Sequence, residues 1–211
     1  VAHVHDAGDT VPAGAIKVVA DLARADCGEV IFGAVDGAID LLVNCAARFA
    51  GDALGEASAA EFDAHMAVNA RGPMLLTEAL VKRHRAGTTA LVVNILDAKL
   101  AAPNPDFLSY TLSKYAAAGL TEIAARALAG RGIRVNAIAP ALMLPSGAQD
   151  EANFAAVHAL NPLRRGVEVA DVVGAIRFLV DQPAMTGQTL IIDGGQRFMA
   201  LPRDVQFVEQ S

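Results

Sequence analysis

The chain has 211 residues, of which 54% are hydrophobic and 19% charged, and its formal net charge is −6. So much apolar surface predicts a folded core rather than disorder, and the acidic balance argues against a nucleic-acid binder or a polybasic membrane module. No apolar run reaches the ~18 residues of a membrane span, and Cys27 and Cys45 make neither a disulfide framework nor a zinc cluster. We therefore expect a cytoplasmic protein with no metal site and no membrane association.

Strand-like and helix-like segments alternate along the chain. Residues 1–5 have the pattern of a strand, and the stretch from there to Ile16 is too short for a crossover helix, which takes ~10–12 residues with its loops. Apolar and β-branched runs predict further strands at residues 16–20, 41–43, 91–96, 133–138 and 189–192. Several of these runs are apolar at consecutive positions, which is typical of strands covered on both faces.

Three helices are predicted between these strands. The first begins at Ser58, where Glu61 completes a capping box, and it continues toward Leu80. The second covers residues 109–129 and ends before two glycines, and the third covers residues 169–180. No repeat or linker divides the chain. The alternation predicts one α/β domain over residues 1–211, with a doubly wound parallel sheet that binds ligands at the carboxyl ends of its strands.

Tyr110 and Lys114 lie four residues apart on the second predicted helix, so both side chains face one site. A cation beside a phenol favours the phenolate and lowers the tyrosine pKa from about 10. Such a phenol exchanges a proton with a C=O or C=N bond during reduction or oxidation. Alone, a pair with this spacing is more often a surface contact, so its neighbours in the sequence decide its meaning.

Further polar residues follow the predicted strands in order. They are Asn44-Cys45-Ala46-Ala47, Asn69 within the first helix, Asp97, Pro140 and Asp193-Gly194-Gly195. With the Tyr-x-x-x-Lys pair, this set resembles the short-chain dehydrogenase/reductase family from Val1 to Gly195. The resemblance implies a Rossmann-like fold, a nicotinamide cofactor and a small-molecule substrate. It also implies that Asn69 positions a proton-relay water, that Tyr110 is the acid/base, and that Lys114 binds the cofactor ribose and tunes Tyr110.

Two residues resemble the pteridine reductases, the dihydromonapterin/dihydrofolate reductase-like branch of this family. Asp97 stands where the family usually has Ser, and that branch has Asp there; the alternative is a lost catalytic Ser and an inactive enzyme. Phe49 lies where the branch places the Phe that stacks on the pterin, although ordinary core packing is the other interpretation. The substrate contacts implied are Phe49, Asp97 and Tyr110, around a pterin- or dihydrofolate-like ring.

Other residues depart from that branch. Cys45 replaces the second Asn of the family motif, and Ala47 lacks a hydroxyl that a Ser would offer to the substrate. Arg48 either binds an acidic substrate tail or is an ordinary surface residue. Ala141 replaces a Gly after Pro140, and the loop over residues 142–155 is expected to cover the substrate as a lid.

The cofactor half of the site is the weaker part of the resemblance. Residues 1–5 resemble the second strand of the family, so the first strand and its Gly-rich phosphate loop are expected to be missing from this sequence. His3-Val4-His5 resembles a His-x-His motif near a 2′-phosphate and favours NADP, whereas the acidic Asp6 favours NAD. The implied cofactor contacts are His5, Asp21, Leu22, Asn44, Ala46, Tyr110, Lys114, Pro140 and Leu142.

Three functions are compatible with these residues. The chain is predicted to transfer hydride from NAD(P)H to a pterin- or dihydrofolate-like substrate. The first alternative is a short-chain enzyme that acts on a ketone or alcohol. The second is a non-catalytic binding or scaffold protein that has lost cofactor binding. The family resemblance also implies a homotetramer built on the helices that begin at Ser58 and Ser109.

Overall fold

The computed structural model describes residues 1–146 and 149–208. Within those residues, strands and helices alternate as expected for an α/β protein. The strands are β1 (Ala2–Val4), β2 (Lys17–Val19), β3 (Leu41–Asn44), β4 (Ala90–Ile95), β5 (Ile133–Pro140) and β6 (Thr189–Ile192). The α-helices are α1 (Cys27–Gly33), α2 (Ala59–Met66), α3 (Gly72–Arg83), α4 (Leu108–Leu128), α5 (Glu151–Val157) and α6 (Val169–Asp181).

The strands form two parallel sheets flanked by helices. β1 pairs with β2, and β3, β4, β5 and β6 pair in that order. The prediction of a Rossmann-like parallel α/β fold is confirmed. No ladder joins β1 to β3 in the described part of the chain. Asn44 and Pro140 are the last residues of their strands, so both lie at the sheet edge where ligands bind in this architecture.

One hydrophobic core connects the two sheets. Val18 of β2 and the following Leu22 belong to the same buried cluster as Leu80 of α3, Val92 of β4 and Val135 of β5. β4 and β5 are buried along nearly their whole length, which explains their consecutive apolar residues. None of the described helices is both long and apolar enough to cross a membrane.

The first predicted helix is interrupted. Ser58 caps α2, because its Oγ accepts a hydrogen bond from the backbone N–H of Glu61 at 3.1 Å. The chain then forms a π-helical turn over Ala67–Arg71 before α3 begins. Turns of this kind often mark functional sites, and this one carries Asn69. The second predicted helix begins and ends one residue earlier than predicted, and a 3₁₀ turn closed by Gly132 follows it.

Two segments differ from the sequence prediction. The short α1 and α5 were not predicted, and α5 begins within residues 142–155, which the sequence suggested to be a lid loop. Gly147 of that loop lies outside the described residues. Residues 5–16 connect β1 to β2 through turns without a helix, as their number predicted.

Gly132 is expected to be sensitive to substitution by alanine. Its φ is +76°, and an added Cβ would lie 2.7 Å from the carbonyl oxygen of Thr88. We expect G132A to lower the free energy of unfolding by about 1–3 kcal/mol, measured by urea denaturation. G87A is the control, because Gly87 has a φ of +83° but nothing within 4 Å of an added Cβ. Equal losses in the two variants would show that the Thr88 contact costs nothing.

Candidate active site

A cavity of about 310 Å³ opens at the carboxyl ends of β3, β4 and β5. Its position agrees with the rule that ligands of a parallel sheet bind at this edge. The 3₁₀ turn Ala98–Ala101, the start of α4 and the segment after β5 form its walls. The residues with reactive side chains that line it are Cys45, Asp97, Lys99, Tyr110, Lys114 and Asp204.

Asp97 and Tyr110 form the centre of this cavity. The phenolic O–H of Tyr110 donates a hydrogen bond to Asp97 Oδ2 at 2.8 Å. Asp97 Oδ1 accepts the backbone N–H of Lys99 at 2.8 Å, so both carboxyl oxygens are used. Asp97 lines the cavity and is partly buried. This burial raises the pKa of Asp97 above its ordinary value, against the opposing effects of the hydrogen bonds and of Lys114.

The prediction that Lys114 lowers the pKa of Tyr110 is wrong for this arrangement. Burial and the nearby Asp97 raise the pKa of Tyr110 well above 10. Lys114 Nζ instead donates to the carbonyl oxygen of Ile95 at 2.8 Å and lies 5.5 Å from the centroid of the Tyr110 ring. Burial also lowers the pKa of Lys114. Tyr110 therefore keeps its proton at neutral pH.

The titration of Tyr110 is directly measurable, because the chain has two tyrosines and no tryptophan. In a Y115F variant, the ultraviolet absorbance of phenolate reports Tyr110 alone. We expect its midpoint to lie above the ordinary tyrosine value, and to move down when D97N is added, because the added substitution removes the carboxylate. A midpoint at the ordinary value in Y115F would contradict the hydrogen bond to Asp97.

Asn69 lies behind the cavity wall rather than in it. Its Oδ1 accepts the backbone N–H of Arg48 at 2.7 Å, and its Nδ2 donates to the Arg48 carbonyl and to Ser113 Oγ, each at 2.9 Å. The side chain thus connects the loop after β3 to α4. Arg48 forms a two-bond ion pair with Glu61 at 2.8 and 2.9 Å. The Arg48 guanidinium is therefore paired on the protein surface. The sequence predicted that the Glu61 carboxylate completes a capping box, but in the structure it binds Arg48.

Phe49 lies in the cavity wall and also packs against other aromatic rings. It lines the cavity, and its ring stacks on Phe107 with centroids 4.4 Å apart. The same ring packs edge to face with the ring of Tyr110, and their centroids are 4.8 Å apart. Phe107 stacks in turn on Phe207 at 5.7 Å. One side of the cavity is therefore an aromatic wall, and Tyr110 lies beside it.

The residues predicted to bind the cofactor fall into two groups. Tyr110, Lys114, Pro140 and Leu142 line the cavity, and Asn44 and Ala46 lie at the adjacent end of β3. His5, Asp21 and Leu22 follow the strands of the other sheet. Asp21 accepts the backbone N–H of Ala23 at 2.8 Å. The side chain of Leu22 belongs to the core, so only its backbone is available to a ligand.

The end of β3 beside the cavity suits a hydrogen-bonding ligand such as a nicotinamide cofactor. Asn44 Oδ1 is buried at the strand end and has no hydrogen-bond partner among the described residues, so a ligand donor there would satisfy it. Asn44 Nδ2 donates to Asn94 Oδ1 at 2.8 Å, which holds the amide in place. Within the described residues, no glycine-rich loop follows a buried strand to bind a pyrophosphate.

The sequence did not single out the residues that close the cavity. Lys99 Nζ lies 3.5 Å from Asp204 Oδ2 and 5.1 Å from the Phe107 ring centroid. Asp106 accepts Arg203 Nε at 2.9 Å and the backbone N–H of Asp204 at 2.7 Å. These contacts place residues 201–206 in the cavity wall. The partners are about a hundred residues apart in the sequence, and no local pattern connects them.

Comparison with known proteins gives the family. A family model described as enoyl-(acyl carrier protein) reductase matches residues 2–197. The chain belongs to the short-chain dehydrogenase/reductase family. It is 32% identical over 187 residues to a 3-oxoacyl-[acyl-carrier-protein] reductase of Synechocystis, covering 86% of this chain and 75% of the relative. It is 33% identical over 169 residues to human dehydrogenase/reductase SDR family member 4, covering 75% of this chain and 60% of the relative.

A solved structure of this family is similar to the chain in both fold and sequence. It is FolM alternative dihydrofolate reductase 1 from Brucella canis, complexed with NADP. The two share 39% identity and a TM-score of 0.82, over 87% of this chain and 73% of the other. The chain thus spans about three quarters of that protein and about three fifths of the human relative.

Proposed function

We propose that this short-chain reductase transfers hydride from NAD(P)H to a pterin- or dihydrofolate-like ring. The observation that carries the proposal is the hydrogen bond from Tyr110 to the partly buried Asp97 beside the aromatic wall of Phe49 and Phe107. A flat heterocycle fits against an aromatic wall, and its ring nitrogens need a proton when a C=N bond is reduced. The similarity to the Brucella FolM structure supports the same assignment.

The proton passes through Asp97 and Tyr110. Because its pKa is raised, Asp97 binds a proton more readily than an exposed carboxyl group. Protonated Asp97 donates from Oδ2 to the Tyr110 oxygen, and the phenolic hydrogen is then free to point at the substrate. As Tyr110 gives this proton to the ring, Asp97 replaces it across the 2.8 Å contact. No free phenolate forms in this relay, which agrees with the raised pKa of Tyr110.

Other residues hold this pair and the ligands in place. In the proposal, five residues around the cavity hold the nicotinamide-ribose part of the cofactor. They are Lys114, Asn44, Ala46, Pro140 and Leu142. When bound, the reduced cofactor supplies the hydride. Phe49 holds the substrate ring against the cavity wall. Asn69 fixes α4 to the loop after β3, and we propose that its π-helical turn positions a water for proton supply.

We propose NADP as the cofactor, with NAD as the alternative. His5 follows β1 and is exposed, so it is accessible to a 2′-phosphate, and Asp21 and Leu22 follow β2 near the proposed adenine end. The exposed Asp6 next to His5 opposes the phosphate through its charge. Fluorescence titration with NADPH and NADH compares the two cofactors without interference, because the chain has no tryptophan.

A substrate panel tests the proposal. Oxidation of NADPH is followed with dihydrobiopterin, dihydrofolate, small ketones and a 3-oxoacyl thioester. We expect the pterins to give the highest kcat/KM. Reduction of ketones or thioesters alone would overturn the pterin assignment and favour the first alternative, a ketone or alcohol enzyme, which the similarity to the Synechocystis reductase supports. Absence of saturable binding of either cofactor would favour the second alternative, a non-catalytic scaffold.

The proposal extends to assembly and location. We propose that residues 1–211 act as one domain and assemble as a homotetramer in the cytoplasm. Apolar side chains on α2, α3 and α4 are partly exposed and suit contacts between copies. They are Phe62, Met74, Leu112 and Ile123. Sedimentation equilibrium tests the assembly, and a monomer at micromolar concentration would contradict it.

A further inference from the structure

The helix that carries Tyr110 has an unusual first turn. The residue at its N-cap is Phe107, whose side chain makes no capping hydrogen bond and whose φ is +54°. A helix leaves its first backbone N–H groups without internal partners, and a Ser, Thr, Asp or Asn usually binds one of them. The first N–H groups of α4 therefore need partners from elsewhere in the protein.

Asp52 supplies these partners from the loop after β3. Its Oδ1 accepts the backbone N–H of Ser109 at 2.9 Å, and its backbone carbonyl accepts the N–H of Leu108 at 3.1 Å. Its Oδ2 also accepts the hydroxyl of Ser109. Ser109 is 1% exposed, so these bonds lie inside the protein. One aspartate thus caps a helix that begins 56 residues later in the chain.

We propose that Asp52 is a positioning residue for Tyr110. The inference rests on the proposed function, because it concerns the residue that donates the proton there. Tyr110 directly follows Ser109, so the bonds to Asp52 fix the turn from which the phenol extends. The same loop carries Phe49, whose ring contacts both Phe107 and Tyr110. Asp52 therefore sets the spacing between the aromatic wall and the Tyr110–Asp97 pair.

If Asp52 acts through the geometry of its contacts, its substitutions have different effects than if it acts through its charge. In D52N, the amide oxygen still accepts the Ser109 N–H and the amide nitrogen donates to the Ser109 hydroxyl, so the shape of the contact is kept. D52A removes both contacts. A positioning role predicts that kcat falls about 10- to 100-fold in D52A and stays near wild type in D52N, since small displacements of a catalytic group cost this much. The KM for the cofactor is expected to stay unchanged in both.

The matched control is S58A, which removes a helix cap of the same kind from α2. We expect D52A and S58A to lower the melting temperature by a similar few degrees, while only D52A lowers kcat. A spectroscopic measurement without substrate completes the test. In the Y115F background, D52A is expected to move the Tyr110 titration down toward its ordinary pKa, because the phenol leaves Asp97, whereas D52N and S58A leave it unchanged.

The outcomes separate this inference from the proposed function. Wild-type kcat and an unmoved Tyr110 titration in folded D52A would overturn the positioning role. Equal losses in D52N and D52A would overturn it too, because they would show an effect of charge. If the chain reduces no substrate of the panel, the proposed function fails, but the titration still tests whether Asp52 holds Tyr110 on Asp97.

Discussion

Y110F is expected to lower kcat by about 10²- to 10⁴-fold, the usual contribution of a positioned acid or base. The phenylalanine ring fills the same space beside Phe49 but has no proton to give, and it leaves Asp97 Oδ2 without its donor. The KM for NADPH is expected to change little, because Lys114 and the segment after β5 remain in place. Steady-state oxidation of NADPH with the best substrate of the panel measures the effect.

Y115F is the matched control for this experiment. Tyr115 lies on the same helix, is 42% exposed and donates to the carbonyl of Leu100 at 3.0 Å. The same oxygen atom is removed outside the Tyr110–Asp97 pair, so kcat is expected to stay near wild type. A Y110F enzyme that retains more than a tenth of wild-type kcat would show that another group supplies the proton.

D97N is expected to lower kcat about 10²-fold and to remove the descending limb from the pH profile of kcat. The active form in the proposed relay has Asp97 protonated, so wild-type kcat falls as pH rises through the raised pKa of this group. An asparagine passes no proton and has no charge to gain, so its lower rate does not have this descending limb. The two profiles, measured at saturating cofactor, provide the comparison. An unchanged descending limb in D97N would assign it to another group.

D97N, which is expected to lower kcat, is expected to raise the free energy of unfolding at neutral pH. The folded-state pKa of Asp97 is raised, so the folded state binds this proton more tightly than the unfolded state does. The resulting stabilisation is present at low pH and is lost as pH rises from the ordinary 3.8 through the raised value. D97N is therefore expected to be more stable than wild type at neutral pH, with a gap that closes on acidification. D36N, which changes an exposed carboxylate, is the control in thermal denaturation.

The residues that bring chemistry to the site were predictable because each lies next to a local signal. Tyr110 and Lys114 have helical spacing, and Asp97 and Pro140 lie at or beside the ends of apolar runs that became strands. The parallel sheet then places those ends together. The electrostatic state of the site was not predictable in this way. The pKa of Tyr110 depends on burial and on Asp97, and neither is visible from the spacing to Lys114.

Contacts over long sequence separations were the other part that the sequence did not predict. Asp52 and Ser109 are ordinary polar residues until the fold places one against the other. Asp106 and Arg203 are likewise unremarkable as single positions. At Leu22 the fold limits a predicted contact, because the side chain belongs to the core and only the backbone is available to the proposed cofactor. Local sequence patterns predict the strands and helices, whereas the partners of a side chain depend on how those strands and helices pack.

The cavity wall formed by residues 201–206 is held by ion pairs, so dissolved salt affects the active site. Its anchors are side-chain charges rather than strand ladders, and in the Arg203–Asp106 pair the arginine side chain is 55% exposed. Dissolved ions screen an exposed pair over a Debye length of about 8 Å at physiological ionic strength and about 3 Å at 1 M. Concentrated salt is therefore expected to weaken the Arg203–Asp106 pair, whereas the more buried Lys99–Asp204 pair is screened much less. Because the Arg203–Asp106 pair lies beside the cavity wall, ionic strength has to be fixed before substrate preferences measured in different buffers are compared.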